Sequence, residues 1–168
     1  EAEETDGGFH FPKKKKPKGE TAASSVSKEN LAVARGWLST SDKYDLLVNG
    51  AVITAFSALF LDDLAMLRSS LRIVQAGTEV AEVKGKDLIP AHGLAMSRLL
   101  ETSLFPTEEL TYEQANAYLR KEAITLSPTV PRGYVLVTYK KIPIGLVKNI
   151  GNRANNLYPQ EWRIRSGY

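Results

Sequence analysis

The spacing of apolar residues changes several times along this chain, and each change marks an element. In "SKENLAVARGWL", Leu31, Ala34, Trp37 and Leu38 recur at helical spacing behind Ser27, a residue suited to cap the first turn. A helix is predicted here, with Trp37 as a core anchor. "YDLLVNGAVITAF" places two short apolar runs on either side of Asn49-Gly50, a dipeptide that suits a two-residue type I′ turn, and so predicts a β-hairpin. "LFLDDLAMLRSSL" returns to helical spacing, and "LRIVQAGTEVAEVKG" reads as two strands broken at Gly77. In "PAHGLAMSRLLE", Pro90 suits a first helical turn, His92 a helix start, and Leu94, Leu99 and Leu100 a buried stripe.

The most clearly marked helix is "TYEQANAYLRKEA", where Thr111 and Gln114 hold capping-box positions and Ala115, Tyr118, Leu119 and Glu122 follow on successive turns. After "LSPTVPRG" the period falls to two. "YVLVTY", "IPIGLVK" and "EWRIR" read as strands joined by tight turns, which predicts a small barrel or a curled sheet. Val135 to Val137 is apolar on both faces, as expected of a strand inside a closed structure. In "EWRIR", alternation sends Trp162 and Ile164 to the face that fills the barrel, and Arg163 and Arg165 to the other.

Composition narrows the chemistry. A chain of 168 residues, 43% hydrophobic, is long enough to bury a core. It has no cysteine, which excludes disulfides, thiolate metal sites and a cysteine nucleophile, and two histidines, His10 and His92, argue against an imidazole metal site. No glycine-rich phosphate loop, HExxH or GxSxG is present. The acidic pairs Asp62-Asp63 and Glu108-Glu109 have the residue types of an acid and a base, but adjacent carboxylates more commonly occupy solvent-facing helix starts. No apolar run reaches the roughly 18 residues of a membrane span, because Asp62 and Asp63 interrupt the longest one. The acidic start "EAEETDGG" is unlike a signal sequence. The expectation is a cytoplasmic protein with no membrane partner, cut from a longer chain. Residues 1–24, with "KKKKPKGE", read as a flexible basic linker whose lysines either touch RNA phosphates or are simply solvated.

Charge is unevenly spread. Residues 21–131 carry ten basic and thirteen acidic side chains, whereas from Arg132 to the end seven basic residues face Glu161 alone. A polyanionic partner and a merely solubilising basic face both fit that asymmetry. Arginine bonds phosphates bidentately and stacks on bases, and Asn155, Asn156 and Tyr158 add polar and aromatic groups of the kind irregular RNA requires. The same asparagines also suit turns, and Tyr158 suits the core. The candidate RNA-binding residues are Lys140, Lys141, Lys148, Arg153, Asn155, Asn156, Arg163 and Arg165, with no catalytic and no metal residue assigned.

"RGYVLVTYKKIPIGLVKNIGNRANNLYPQEWRIR" resembles the C-terminal PUA-like module of bacterial ribosomal RNA cytosine-5 methyltransferases of the Sun (Fmu) class, the RsmF-like group. The shared pattern is a strand of G-[YW]-V-L-V-T-Y type, a P-[IL]-G-x-x-K turn and strand, and a near-terminal N-x-Y-P-x-x-x-R-[IL], here Asn156, Tyr158, Pro159, Arg163 and Ile164. "LRIVQAGTEVAEVKGKDLIPAHGLAM" and "ANAYLRKEAI" are similar to preceding family segments, so the resemblance runs from about residue 28 to 168. Lys121 stands where the family often has glycine. The resemblance implies an α+β fold: a small mixed α/β subdomain over 25–106, then a PUA-like β-barrel with flanking helices over 107–168. It implies an RNA-binding, substrate-recognition region of a 16S ribosomal RNA methyltransferase. Its partners would be small-subunit ribosomal RNA or the assembling 30S particle, and an N-terminal methyltransferase domain of the same protein. Catalytic cysteines and S-adenosylmethionine would belong to that domain, leaving no cofactor and no activity in this chain. The alternative is a structural module that braces the catalytic domain without touching RNA.

Overall fold

The computed structural model describes residues 26–165, so the basic linker over 1–24 lies outside the described residues. Two four-stranded sheets follow one another along the chain. The first is an antiparallel meander of β1 (Tyr44–Asn49), β2 (Val52–Ser57), β3 (Thr78–Lys84) and β4 (Asp87–Pro90). The second has the order β5 (Thr107–Glu109), β6 (Gly133–Tyr139), β7 (Ile142–Asn149) and β8 (Ala154–Asn156), with β5 parallel to β6 and the other pairs antiparallel. Helices α1 (Lys28–Gly36), α2 (Leu61–Ser70), α3 (His92–Ala95) and α4 (Tyr112–Leu119) connect or flank them.

The class is therefore α+β, as the sequence indicates, but no closed barrel forms among the described residues. What makes β6 apolar on both faces is a pair of cores. Leu136 and, on β7, Leu146 point into a cluster with Ile53, Ala55 and Val80 of the first sheet and Leu94 of α3. Their neighbours Val135, Val137 and Val147 point the opposite way, into a cluster with Leu110, Ala115, Tyr118, Ile124 and Ala154. Alternation along a strand thus serves two interiors instead of one interior and solvent.

Locally encoded features appear where the sequence places them. Ser27 Oγ accepts the Asn30 N–H at 3.1 Å, and Trp37 meets the Phe105 and Tyr134 rings at 5.9 and 6.5 Å. Asp62 and Asp63 lie in the first turn of α2. The α4 capping box is complete: Gln114 N–H donates to Thr111 Oγ1 at 3.3 Å, and Thr111 N–H to Gln114 Oε1 at 2.9 Å.

Other expectations are revised. Asn49 pairs with Val52, so the hairpin loop is Gly50-Ala51, and only Gly50 has positive φ, at 59°, which fits a type II′ and not a type I′ turn. Residues 71–77 form no strand, and Gly77 turns the chain with φ 78° beside the Ala55 carbonyl. Pro90 belongs to β4, leaving α3 only four residues long. Glu108 and Glu109 lie in β5 and not at a helix start, and there Glu108 Oε1 accepts the Ser127 N–H and Glu109 the Thr138 hydroxyl.

"EWRIR" is not a strand. β8 occupies the sheet edge beside β7, and Pro159 opens a 3₁₀ turn over Gln160–Trp162 that ends the extended run. Trp162 and Ile164, expected inside a barrel, are 60% and 41% exposed.

Candidate nucleic-acid interface

The geometry that carries the C-terminal arginines begins at the end of α4. Lys121 takes a left-handed φ of 62°, so its N–H reaches the Tyr118 carbonyl and the Glu122 N–H reaches the Ala117 carbonyl, both at 2.9 Å. This is a Schellman closure, the position at which glycine is preferred because it lacks a Cβ. Asn156 adds to it from β8: its Nδ2 donates to the Tyr118 and Glu122 carbonyls at 2.8 and 3.0 Å, and its Oδ1 accepts the Tyr158 N–H at 2.9 Å. Lys121 Nζ donates to the Tyr158 carbonyl. Tyr158 is half-buried and packs its ring against Tyr118, in keeping with a core role.

The tail is then tied back to this helix end. Ile164 N–H donates to the Leu119 carbonyl at 3.0 Å, which sets Arg163 and Arg165 beside Arg120 around a cleft of about 370 Å³ with Glu122. Three guanidinium groups against one carboxylate give the cleft a positive balance, with planar donors suited to phosphate oxygens. Arg120 was not among the sequence candidates. Its signal was there, since a residue at a helix C-terminus adjoins whatever packs on that end, but nothing local says that the tail returns to it.

The other candidates fall elsewhere. Lys140 and Lys141 form the β6–β7 turn, both exposed and both at positive φ, 51° and 64°. Glu109 holds this turn by accepting the Lys141 N–H at 3.2 Å and the Thr138 hydroxyl at 2.5 Å. The Thr138 hydroxyl is the main cause that keeps the Glu109 carboxyl below its ordinary pKa, with the turn's amides adding to it. Arg153 sits at the opposite end of the hairpin, in the β7–β8 loop, where the Arg132 guanidinium lies against Gly151. Seven residues of β6 separate the two ends by roughly 20 Å. Lys148 and the exposed Asn155 are register partners on β7 and β8, but Lys148 Nζ is engaged by Asp87 Oδ2 at 2.7 Å and lies 5.6 Å from the Tyr134 ring centre. The candidates therefore divide into an arginine cleft, a lysine turn and a loop at the far end. Asn156 has its amide committed to internal bonds.

A helix with a capped start and a closed end, set beside a four-stranded sheet, is the segment that comparison identifies. Residues 105–164 match the family described as the methyltransferase RsmF PUA domain, a range that holds every candidate except Arg165. Relatives carry the same name. The chain is 30% identical over 104 residues to ribosomal RNA small subunit methyltransferase F of Shewanella piezotolerans, covering 61% of this chain and 21% of that protein. It is 32% identical over 109 residues to the protein of that name from Shigella boydii, and 28% identical over 109 residues to that of Klebsiella pneumoniae, covering in each case 65% of this chain and 22% of the relative. Its C-terminal stretch is RsmF-like. The chain spans about a fifth of the length of the curated relatives it matches.

Proposed function

We propose that this chain is the RNA-binding, substrate-recognition region of a 16S ribosomal RNA cytosine-5 methyltransferase, with residues 107–168 as the RNA-binding unit. The observation that carries the reading is the arginine cleft of Arg120, Arg163 and Arg165, built on the segment that matches the RsmF PUA domain. Lys140, Lys141 and Arg153 extend the contact along the sheet, while Lys148 is partly neutralised by Asp87 and Asn156 serves the fold. Transfer chemistry with S-adenosylmethionine belongs, in this reading, to the part of the longer protein outside the fifth that this chain spans. The residues here supply no cysteine to act on a base and no glycine-rich nucleotide loop. The partner is small-subunit ribosomal RNA, free or in its assembling particle, and the setting is the cytoplasm.

The test is fluorescence anisotropy of a labelled small-subunit RNA fragment with the 168-residue chain. Replacing Arg163 and Arg165 by alanine is expected to weaken binding about tenfold at low salt, since contacts to phosphate supply most of such affinity. Unchanged binding would remove the cleft from the account.

A second reading draws on a different observation. Leu59, Phe60, Met66, Leu67, Leu71 and Val74, on α2 and the segments flanking it, are 44–94% exposed. So much bare apolar surface marks a docking face, and the occupant proposed is the catalytic part of the same longer protein. The two readings concern separate surfaces and are compatible.

A further inference from the structure

We propose that the groove between the first sheet and the segment 156–162 receives one unstacked nucleobase, with Trp162 as its stacking face. This rests on the RNA-binding reading and adds a site to it. The groove encloses about 810 Å³, within the range of small-ligand clefts. Ile89 of β4 gives it a partly exposed apolar side, backed by the buried Ala81 and Pro90.

Trp162 stands on this groove 60% exposed, yet it is held in place. Its ring meets His92 edge to face at 5.5 Å, His92 meets Tyr158 at 5.1 Å, and Tyr158 meets the fully buried Tyr118 at 5.4 Å. The series anchors a solvent-facing indole to the second core. Backbone bonds fix the segment on both sides, from Trp162 N–H to the Pro159 carbonyl and from Ile164 N–H to the Leu119 carbonyl. A large aromatic ring held in position and left open to solvent is what a stacked base needs.

Charge separates this site from the cleft. The groove is lined by Glu79, Glu82 and Glu161 against Lys84 and Lys121, and Lys84 is paired with Glu82 at 3.0 Å. It therefore repels a phosphate backbone more than it attracts one and suits a base alone. The next residue, Arg163, lines the arginine cleft, so the stacking face and the phosphate site are carried by neighbouring residues of one segment. A single strand whose phosphates lie in the cleft can turn one base into the groove, whereas a paired base remains in its helix.

Trp37 and Trp162 are the only tryptophans, so Trp37→Phe leaves Trp162 as sole reporter. Adenosine 5′-monophosphate is expected to quench its fluorescence saturably, and ribose 5-phosphate to leave it unchanged. If Trp37→Phe does not fold, the difference between the unsubstituted chain and Trp162→Phe gives the same signal. In anisotropy, Trp162→Ala is expected to weaken binding of a single-stranded RNA by about 5- to 100-fold, with the affinity for a blunt duplex nearly unchanged. No saturable quenching, or equal affinity of Trp162→Ala for the single strand, would overturn the proposal. If Arg163→Ala with Arg165→Ala still weakened binding in that case, the RNA reading would survive without the groove. Loss of all RNA binding by the unsubstituted chain would sink both.

Discussion

Gly145 has a φ of 147° at a bulge in β7, and a Cβ there would lie 2.0 Å from the Tyr118 hydroxyl oxygen. That hydroxyl is fixed by two bonds to Leu146, accepting its N–H at 3.1 Å and donating to its carbonyl at 3.2 Å, so it has no room to withdraw. Backbone strain and overpacking act together in Gly145→Ala, which is expected to cost roughly 2–6 kcal/mol, read from denaturant unfolding. His92 gives a residue-scale test in pH. Burial lowers its pKa, and its Nδ1 is enclosed with no hydrogen-bond partner among the described residues. The folded state thus binds its proton less readily than the unfolded chain. The stability it contributes is present above the ordinary histidine value near 6.5 and is lost as pH falls below it. The melting temperature is expected to drop between pH 7.5 and 5.5, and to drop less in His92→Gln.

At the scale of elements, the β6–β7 turn holds two consecutive lysines in left-handed backbone with a carboxylate tying them down. Non-glycine residues pay for that conformation, by about 1–2 kcal/mol each. Lys141→Gly is expected to stabilise the chain by about 1 kcal/mol while weakening RNA binding. A variant that gained stability with undiminished affinity would show the turn to be mere connection. Nothing in "YKKI" announces a type I′ turn, whereas Asn49-Gly50 announces one and the loop forms one residue later. Turn type follows from which residues pair, and pairing is settled by the sheet as a whole. The α4 capping box was legible because both partners lie within three residues of each other. The alternation in "EWRIR" was equally local, but the edge position it needed had gone to β8, so the segment closes on α4 instead.

For the whole molecule, the elements were more legible than their assembly. Val135, Leu136 and Val137 read correctly as buried, but that they face two cores depends on partners such as Ile53 and Ala55, some eighty residues earlier in sequence. The basic residues of the candidate site were visible as charge, while their division into a cleft, a turn and a loop depended on the path of the tail. The bare apolar face around α2 belongs to this scale also. Leu59→Ser with Val74→Ser, at positions 86% and 94% exposed, is expected to reduce binding of a hydrophobic dye and to leave RNA affinity unchanged, since surface substitutions there disturb little packing. If that variant lost RNA binding, the two surfaces would not be separate.

The central claim, that the C-terminal basic surface grips RNA phosphates, is most directly tested by the salt dependence of binding. The logarithm of the association constant of the 168-residue chain for single-stranded ribosomal RNA is expected to fall linearly with the logarithm of salt. The expected slope is about −4, as contacts from Arg120, Arg163, Arg165, Lys140, Lys141 and Arg153 at about 0.7 each require, and it becomes shallower by about 1.4 in Arg163→Ala with Arg165→Ala. A slope near zero, or one that the double substitution leaves unchanged, would contradict it.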